Sequence, residues 1–124
     1  MSKILLSIKP EYVEKILSGE KKFEFRKRLT KVDVESLIIY ATAPAMEVVA
    51  EVKVEGVLSC TKTKLWEETK SAAGITRAKY REYFNGSKVA YAFKLGEIMK
   101  YEPPKKLNDL GVTAPPQSFV YIED

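Results

Sequence analysis

Lys21, Glu24 and Arg26 place an amine, a carboxylate and a guanidinium within six positions, just after Gly19. Together these groups can hold a polar planar ligand, a phosphate, or one another. The chain has no histidine and one cysteine, Cys60, so they are the first groups to consider for acid–base work. A histidine-based triad lacks its base. A zinc site lacks its ligands, because three Cys or His donors are not available. No Asp or Glu cluster has the pattern of a magnesium site. The sequence therefore implies no metal and no cofactor, and any hydrolysis must draw on Lys, Glu, Tyr, Ser or Thr.

The net charge is +4, and its distribution says more than its sum. Residues 21 to 31 carry Lys21, Lys22, Arg26, Lys27, Arg28 and Lys31 against one acid, Glu24. Basic groups steer a polyanion, and exposed aromatics among them can stack on bases. Phe23 and Phe25 are interleaved here, but strand alternation puts both on one face, which reads as core. Glu24 and Arg26 then share the opposite face. They can form a structural ion pair or line a partly solvated cleft, and the sequence leaves both open. Lys21 is off that register and joins them only if the chain bends as it leaves Gly19.

The remaining elements must position this stretch. Lys3 to Lys9 reads as a strand, with Ile4, Leu6 and Ile8 on one face. Pro10 suits the first turn of a helix whose apolar stripe is Tyr12, Val13, Ile16 and Leu17, ended by Gly19. The motif strand is expected at 21 to 28, and Ser36 to Thr42 reads as a buried strand. From Val48 to Leu58 alternation is strict. Two short helices follow, Lys64 to Ala73 with Thr63 as cap and Arg77 to Phe84 with Thr76 as cap. Trp66, Tyr83 and Phe84 read as packing residues. Lys88 to Leu95 is expected to be a strand with Val89, Tyr91, Phe93 and Leu95 inward. Proline-rich connections at 103–104 and 115–116 precede a last strand at Phe119 to Ile122.

At 124 residues, 45% hydrophobic and 31% charged, the composition is that of one globular domain spanning 1–124. No apolar run approaches the length of a membrane span. A lone cysteine and the lack of a signal-peptide core point to the cytoplasm. Many strands, few helices and no regular βαβ alternation predict an α+β fold, a small and mostly antiparallel β-barrel decorated by short helices.

Gly19, Lys21, Glu24 and Arg26 fill a G-x-K-x-x-E-x-R pattern, and in this setting the chain resembles the ASCH domain family, a branch of the PUA-like β-barrels. The likeness extends through Leu37 to Pro44, Leu65-Trp66, Gly74-Ile75, Tyr83 to Gly86 and Pro115 to Phe119. It implies recognition of RNA or of a modified nucleoside in a cleft lined by the motif. Some members of the family are amidohydrolases acting on N4-acetylcytidine, and one is described as a ribonuclease. The amidohydrolases use a lysine, a threonine and a glutamate. Lys21 matches the lysine, while Glu24 occupies the threonine's position. Lys21 and Glu24 are the candidate catalytic pair, with Arg26, Lys22, Lys27 and Arg28 of the basic stretch and Ser118 as candidate ligand-binding residues.

Overall fold

In the computed structural model of the chain, residues 2–30 and 32–122 are described. Six strands form one sheet in the order β2-β5-β4-β3-β1-β6. They are β1 (Ser2–Ile8), β2 (Phe23–Arg26), β3 (Val34–Ala41), β4 (Glu47–Cys60), β5 (Ala90–Lys105) and β6 (Phe119–Ile122). Three α-helices accompany them among the described residues: α1 (Pro10–Ser18), α2 (Lys62–Thr69) and α3 (Arg77–Tyr83). β1 pairs parallel with β3, and the other four pairings are antiparallel.

The expected barrel is corrected to an open sheet. Its hydrogen-bonded order ends at β2 on one side and β6 on the other. Among the described residues each edge strand covers four residues, and no ladder joins the two. A side chain links the two ends instead: Arg26 Nη2 donates to Ser118 Oγ at 3.0 Å.

α1 supplies the crossover that a parallel β1–β3 pair requires. Pro10 opens it, and Gly19 closes it at φ 84°, donating its N–H to Ile16 O at 3.1 Å. Val13 and Ile16 bury the apolar stripe against Ile4, Leu6, Ile8, Leu37, Ile39, Val52, Phe93 and Leu95. Burying one such aliphatic side chain stabilises the fold by roughly 1.5–3 kcal/mol.

The other face of the β2–β5 end is covered by α2 and α3. Phe25, Leu65, Ala73, Tyr80, Phe84, Ala90 and Ala92 form a second cluster there. Phe23 and Phe25 are thus core, as alternation requires, but beneath the helices rather than inside a barrel. Coverage on both faces also changes β5: Ala90 and Ala92 are buried on one side, Phe93 and Leu95 on the other. Val89, expected inward, is exposed. The N-cap of α2 is Thr61, whose Oγ1 accepts from the Lys64 N–H at 3.3 Å, two residues before the expected Thr63. Thr76 caps α3 as read from the sequence. Pro103 and Pro104 belong to the far end of β5, opposite a register shift between Val48 and Ala50. Missing N–H donors are tolerated in such an irregular stretch.

Candidate functional site

Strand pairing sorts the motif by face. Phe25 lies opposite Ala92, while Glu24 lies opposite Phe93 and Arg26 opposite Tyr91. Glu24 and Arg26 therefore point to the face away from α2, with Arg26 Nη1 3.9 Å from Glu24 Oε2. Lys21 reaches the same side because the chain bends at Gly19. After that left-handed residue the Lys21 N–H returns to Lys15 O at 2.9 Å. The motif strand is accordingly β2 at Phe23–Arg26 alone, and Lys21 precedes it.

The result is a cleft of about 600 Å³ lined by Lys21, Glu24 and Arg26 together with Tyr12, Phe25 and Tyr83. Ser7, Ile8, Lys9, Ile75, Lys79 and Glu82 complete its walls. That volume lies within the range of small-ligand sites, about 300–1,000 Å³. Ser7 Oγ donates to Pro116 O at 2.8 Å. With the Arg26–Ser118 bond, this ties the segment before β6 to the rim.

Lys21 is buried, only 4% exposed. Its Nζ donates to Ala73 O at 2.7 Å and lies 4.8 Å from the Phe25 ring centroid and 5.5 Å from that of Tyr12. Burial lowers its pKa to about 8; the Glu24 carboxylate opposes the shift, and Lys15 adds to it. Burial likewise pushes Glu24 above the usual carboxylate range, against the pull of Lys21 and Arg26. Two groups that normally titrate far from neutrality are thus drawn towards it from opposite sides, a pattern that concentrates at functional sites. At neutral pH Lys21 is mostly an ammonium, able to donate to an oxyanion. Burial disfavours the ionised form of Glu24, which makes it the group placed to take or give a proton. Arg26 supplies the planar fork that suits a phosphate.

The other candidates are dispersed. Lys22 is exposed, and its role here is in its backbone: its N–H donates to Ala72 O and its carbonyl accepts from the Leu95 N–H, both at 2.9 Å. Lys27 is exposed at the rim with its Nζ 4.9 Å from the Tyr83 ring centroid. Arg28 is exposed beyond β2 and does not line the cleft. Ser118 is exposed and held by Arg26. Lys31 lies outside the described residues.

Sequence reasoning assigned Tyr83 to packing, yet it lines the cleft while its neighbour Phe84 is fully buried. Burial raises its phenol pKa; Arg26 lowers it and Glu24 raises it. Lys79 and Glu82 were also missed. They reach the site only because α3 folds back towards α1, where Lys79 Nζ comes 3.9 Å from Glu11 Oε2. Among the described residues, no group of three or more Cys, Asp or Glu side chains converges as a metal site would require.

Comparison with known proteins extends this picture. The ASCH domain model matches residues 6–105. The "ASCH domain-containing ribonuclease" of Zymomonas mobilis is 30% identical over 122 residues, covering 95% of this chain and 82% of that one. A Ureaplasma parvum protein named "ATP synthase subunit alpha" is 30% identical over 121 residues, 97% of this chain but only 15% of that protein's length. The solved structure of ASCH from Zymomonas mobilis superimposes with a TM-score of 0.89 at 29% identity, covering 98% of this chain and 88% of that one. A match across most of the chain, in sequence and in fold, has one consequence for classification: the chain belongs to the ASCH domain family.

Proposed function

We propose that this chain is a single RNA-binding unit that holds single-stranded RNA in the cleft beside β2. The observation that carries the reading is the convergence of Lys21, Glu24 and Arg26 in one space walled by Tyr12, Phe25 and Tyr83. Arg26 and the Lys21 ammonium take phosphate oxygens. The Tyr12 and Tyr83 rings flank a base. Glu24 accepts from an exocyclic amine such as cytosine N4. Lys27 and Arg28, exposed at the end of β2, and Lys22 add to the field that steers the strand in. A relative named as a ribonuclease, 30% identical across most of both chains, supports an RNA-related role.

The test is a filter-binding titration with short single-stranded RNA across a salt series. For single strands the slope of log K against log salt is about −0.7 per phosphate neutralised. Two phosphates on Arg26 and Lys21 therefore predict a slope of about −1.4 or steeper. No binding even at low salt rejects the reading.

A second reading, metal-independent hydrolysis of the bound RNA, is favoured by the opposed pKa shifts of Lys21 and Glu24. The Glu24 carboxylate would take the proton of a ribose 2′-hydroxyl as its oxygen bonds to the adjacent phosphorus. Lys21 and Arg26 would stabilise the extra charge on the phosphoryl oxygens. The bond to the 5′-oxygen then breaks, and that oxygen leaves with a proton from Glu24 or solvent. Incubation with short RNA in EDTA should give 2′,3′-cyclic phosphate ends, and RNA lacking the 2′-hydroxyl should be inert. Cleavage that needs an added divalent ion rejects this route. The amidohydrolase alternative rests on Lys21 alone, and turnover of N4-acetylcytidine would be its signature.

A further inference from the structure

α3 separates the cleft from a second concavity of about 370 Å³. One side of the helix gives Lys79, Glu82 and Tyr83 to the cleft, and another gives Arg77, Tyr80 and Arg81 to the groove. Across the groove, α2 contributes Lys62 and Trp66, one helical turn apart. Arg77 and Arg81 are also one turn apart, and both are exposed. The groove thus sets a pair of guanidiniums facing an indole and an amine.

The charge balance favours an anionic occupant. Glu67 also lines this space; Lys70 binds its carboxylate at 2.7 Å, and Arg77 is near enough to stabilise its charge more weakly. Among the described residues, no carboxylate lies within ion-pair distance of Lys62, Arg77 or Arg81. Trp66 is held by Tyr80 at 4.9 Å between ring centroids and stays half-buried. A flat aromatic fixed in this way, beside cations, suits base stacking beside a phosphate.

We propose that the groove between α2 and α3 is a second nucleotide subsite for RNA leaving the cleft, with Arg77 and Arg81 on its phosphate and Trp66 stacked on its base. This inference rests on the cleft binding single-stranded RNA. A helix with its side chains is about 10–12 Å across, so the strand must run for several nucleotides to occupy both sites. Length therefore separates them: a dinucleotide fills the cleft alone, whereas an RNA of about eight nucleotides reaches the groove.

The experiment compares the wild type with Arg77→Gln/Arg81→Gln by fluorescence anisotropy, using a labelled dinucleotide and a labelled octanucleotide. Both changes are exposed and outside the cleft, so the variant should fold, which circular dichroism verifies. The expected result is roughly ten-fold weaker octanucleotide binding, with dinucleotide binding unchanged. The salt slope for the octanucleotide should fall by about 1.4, two phosphate contacts at about 0.7 each. A wild type that binds both RNAs and a variant that matches it on the octanucleotide overturn the second subsite alone. Equal loss on both RNAs overturns it too, since the arginines would then be acting on the cleft. A wild type that binds neither RNA removes the cleft reading and this inference with it.

Discussion

Gly74 is what lets Lys21 lie where it does: a Cβ built on Gly74 would come 2.6 Å from Lys21 Cγ. Gly74 also has φ +65°, a conformation that side chains resist. The loop after α2 therefore closes directly over the lysine stem, while Ala73 O receives its ammonium. Lys21 is fixed by residues more than fifty positions away.

Gly74→Ala should accordingly displace Lys21 while leaving every cleft-lining side chain chemically intact. Overpacking and left-handed strain cost about 1–3 kcal/mol each, so the melting temperature should drop by several degrees. RNA affinity, measured at a temperature where the variant is folded, should fall as well. Unchanged stability would show that the loop yields and that the close approach is not a constraint.

The lowered pKa of Lys21 gives opposite pH dependences for stability and binding. Its folded value is about 8 against 10.5 for the ordinary group. Between these the unfolded chain holds more protons, so this group's contribution to stability rises with pH across that window. The gain is on the order of a few kcal/mol. RNA binding should weaken over the same range, as the ammonium is lost above pH 8. In Lys21→Met both trends should flatten, which parallel denaturation and anisotropy series would reveal. Because Lys21 is buried and bonded to Ala73 O, Lys21→Ala should also destabilise the fold, by about 1–3 kcal/mol.

For Glu24 the sign is reversed. A raised folded pKa means that the protonated carboxyl is favoured in the native state, and this stability is lost as pH rises from about 4.5 through the folded value. Glu24→Gln keeps the shape without the charge. Its melting temperature relative to wild type should become more favourable as pH rises above about 4.5. A constant difference would place Glu24 in a solvated setting. If the chain cleaves RNA, the same variant should lose turnover at neutral pH while retaining binding.

Much of the path to the cleft was legible because it depends on local rules. Pro10 and Gly19 bracket α1, and alternation alone sends Glu24 and Arg26 away from Phe25. The bend that carries Lys21 to them follows from the left-handed Gly19. What was not legible depends on which elements meet. Thr61 and Thr63 can both cap a helix, and only packing selects Thr61. Both faces of β5 are covered, so Ala90 and Ala92 are buried as well as Phe93 and Leu95, and Val89 is exposed because the strand begins only at Ala90. Tyr83 looked like core because it adjoins Phe84; it lines the cleft only because α3 approaches α1, a contact between residues far apart in sequence. The open sheet was hidden for a related reason, since strand count does not reveal whether β2 and β6 pair.

The central claim is that the motif side chains bind RNA rather than merely brace the fold, and Arg26→Ala tests it most directly. Its Glu24 contact is long, at 3.9 Å, and its bond to Ser118 lies at the exposed rim, so losing them should cost about 0.5–1.5 kcal/mol of stability. A charge-assisted phosphate contact is worth about 1.5–3 kcal/mol, or roughly 10- to 150-fold in affinity. Fluorescence anisotropy with a labelled single-stranded RNA should therefore show at least about a ten-fold loss of affinity in a variant that melts near the wild type. A folded Arg26→Ala protein that binds this RNA as tightly as the wild type would contradict the account.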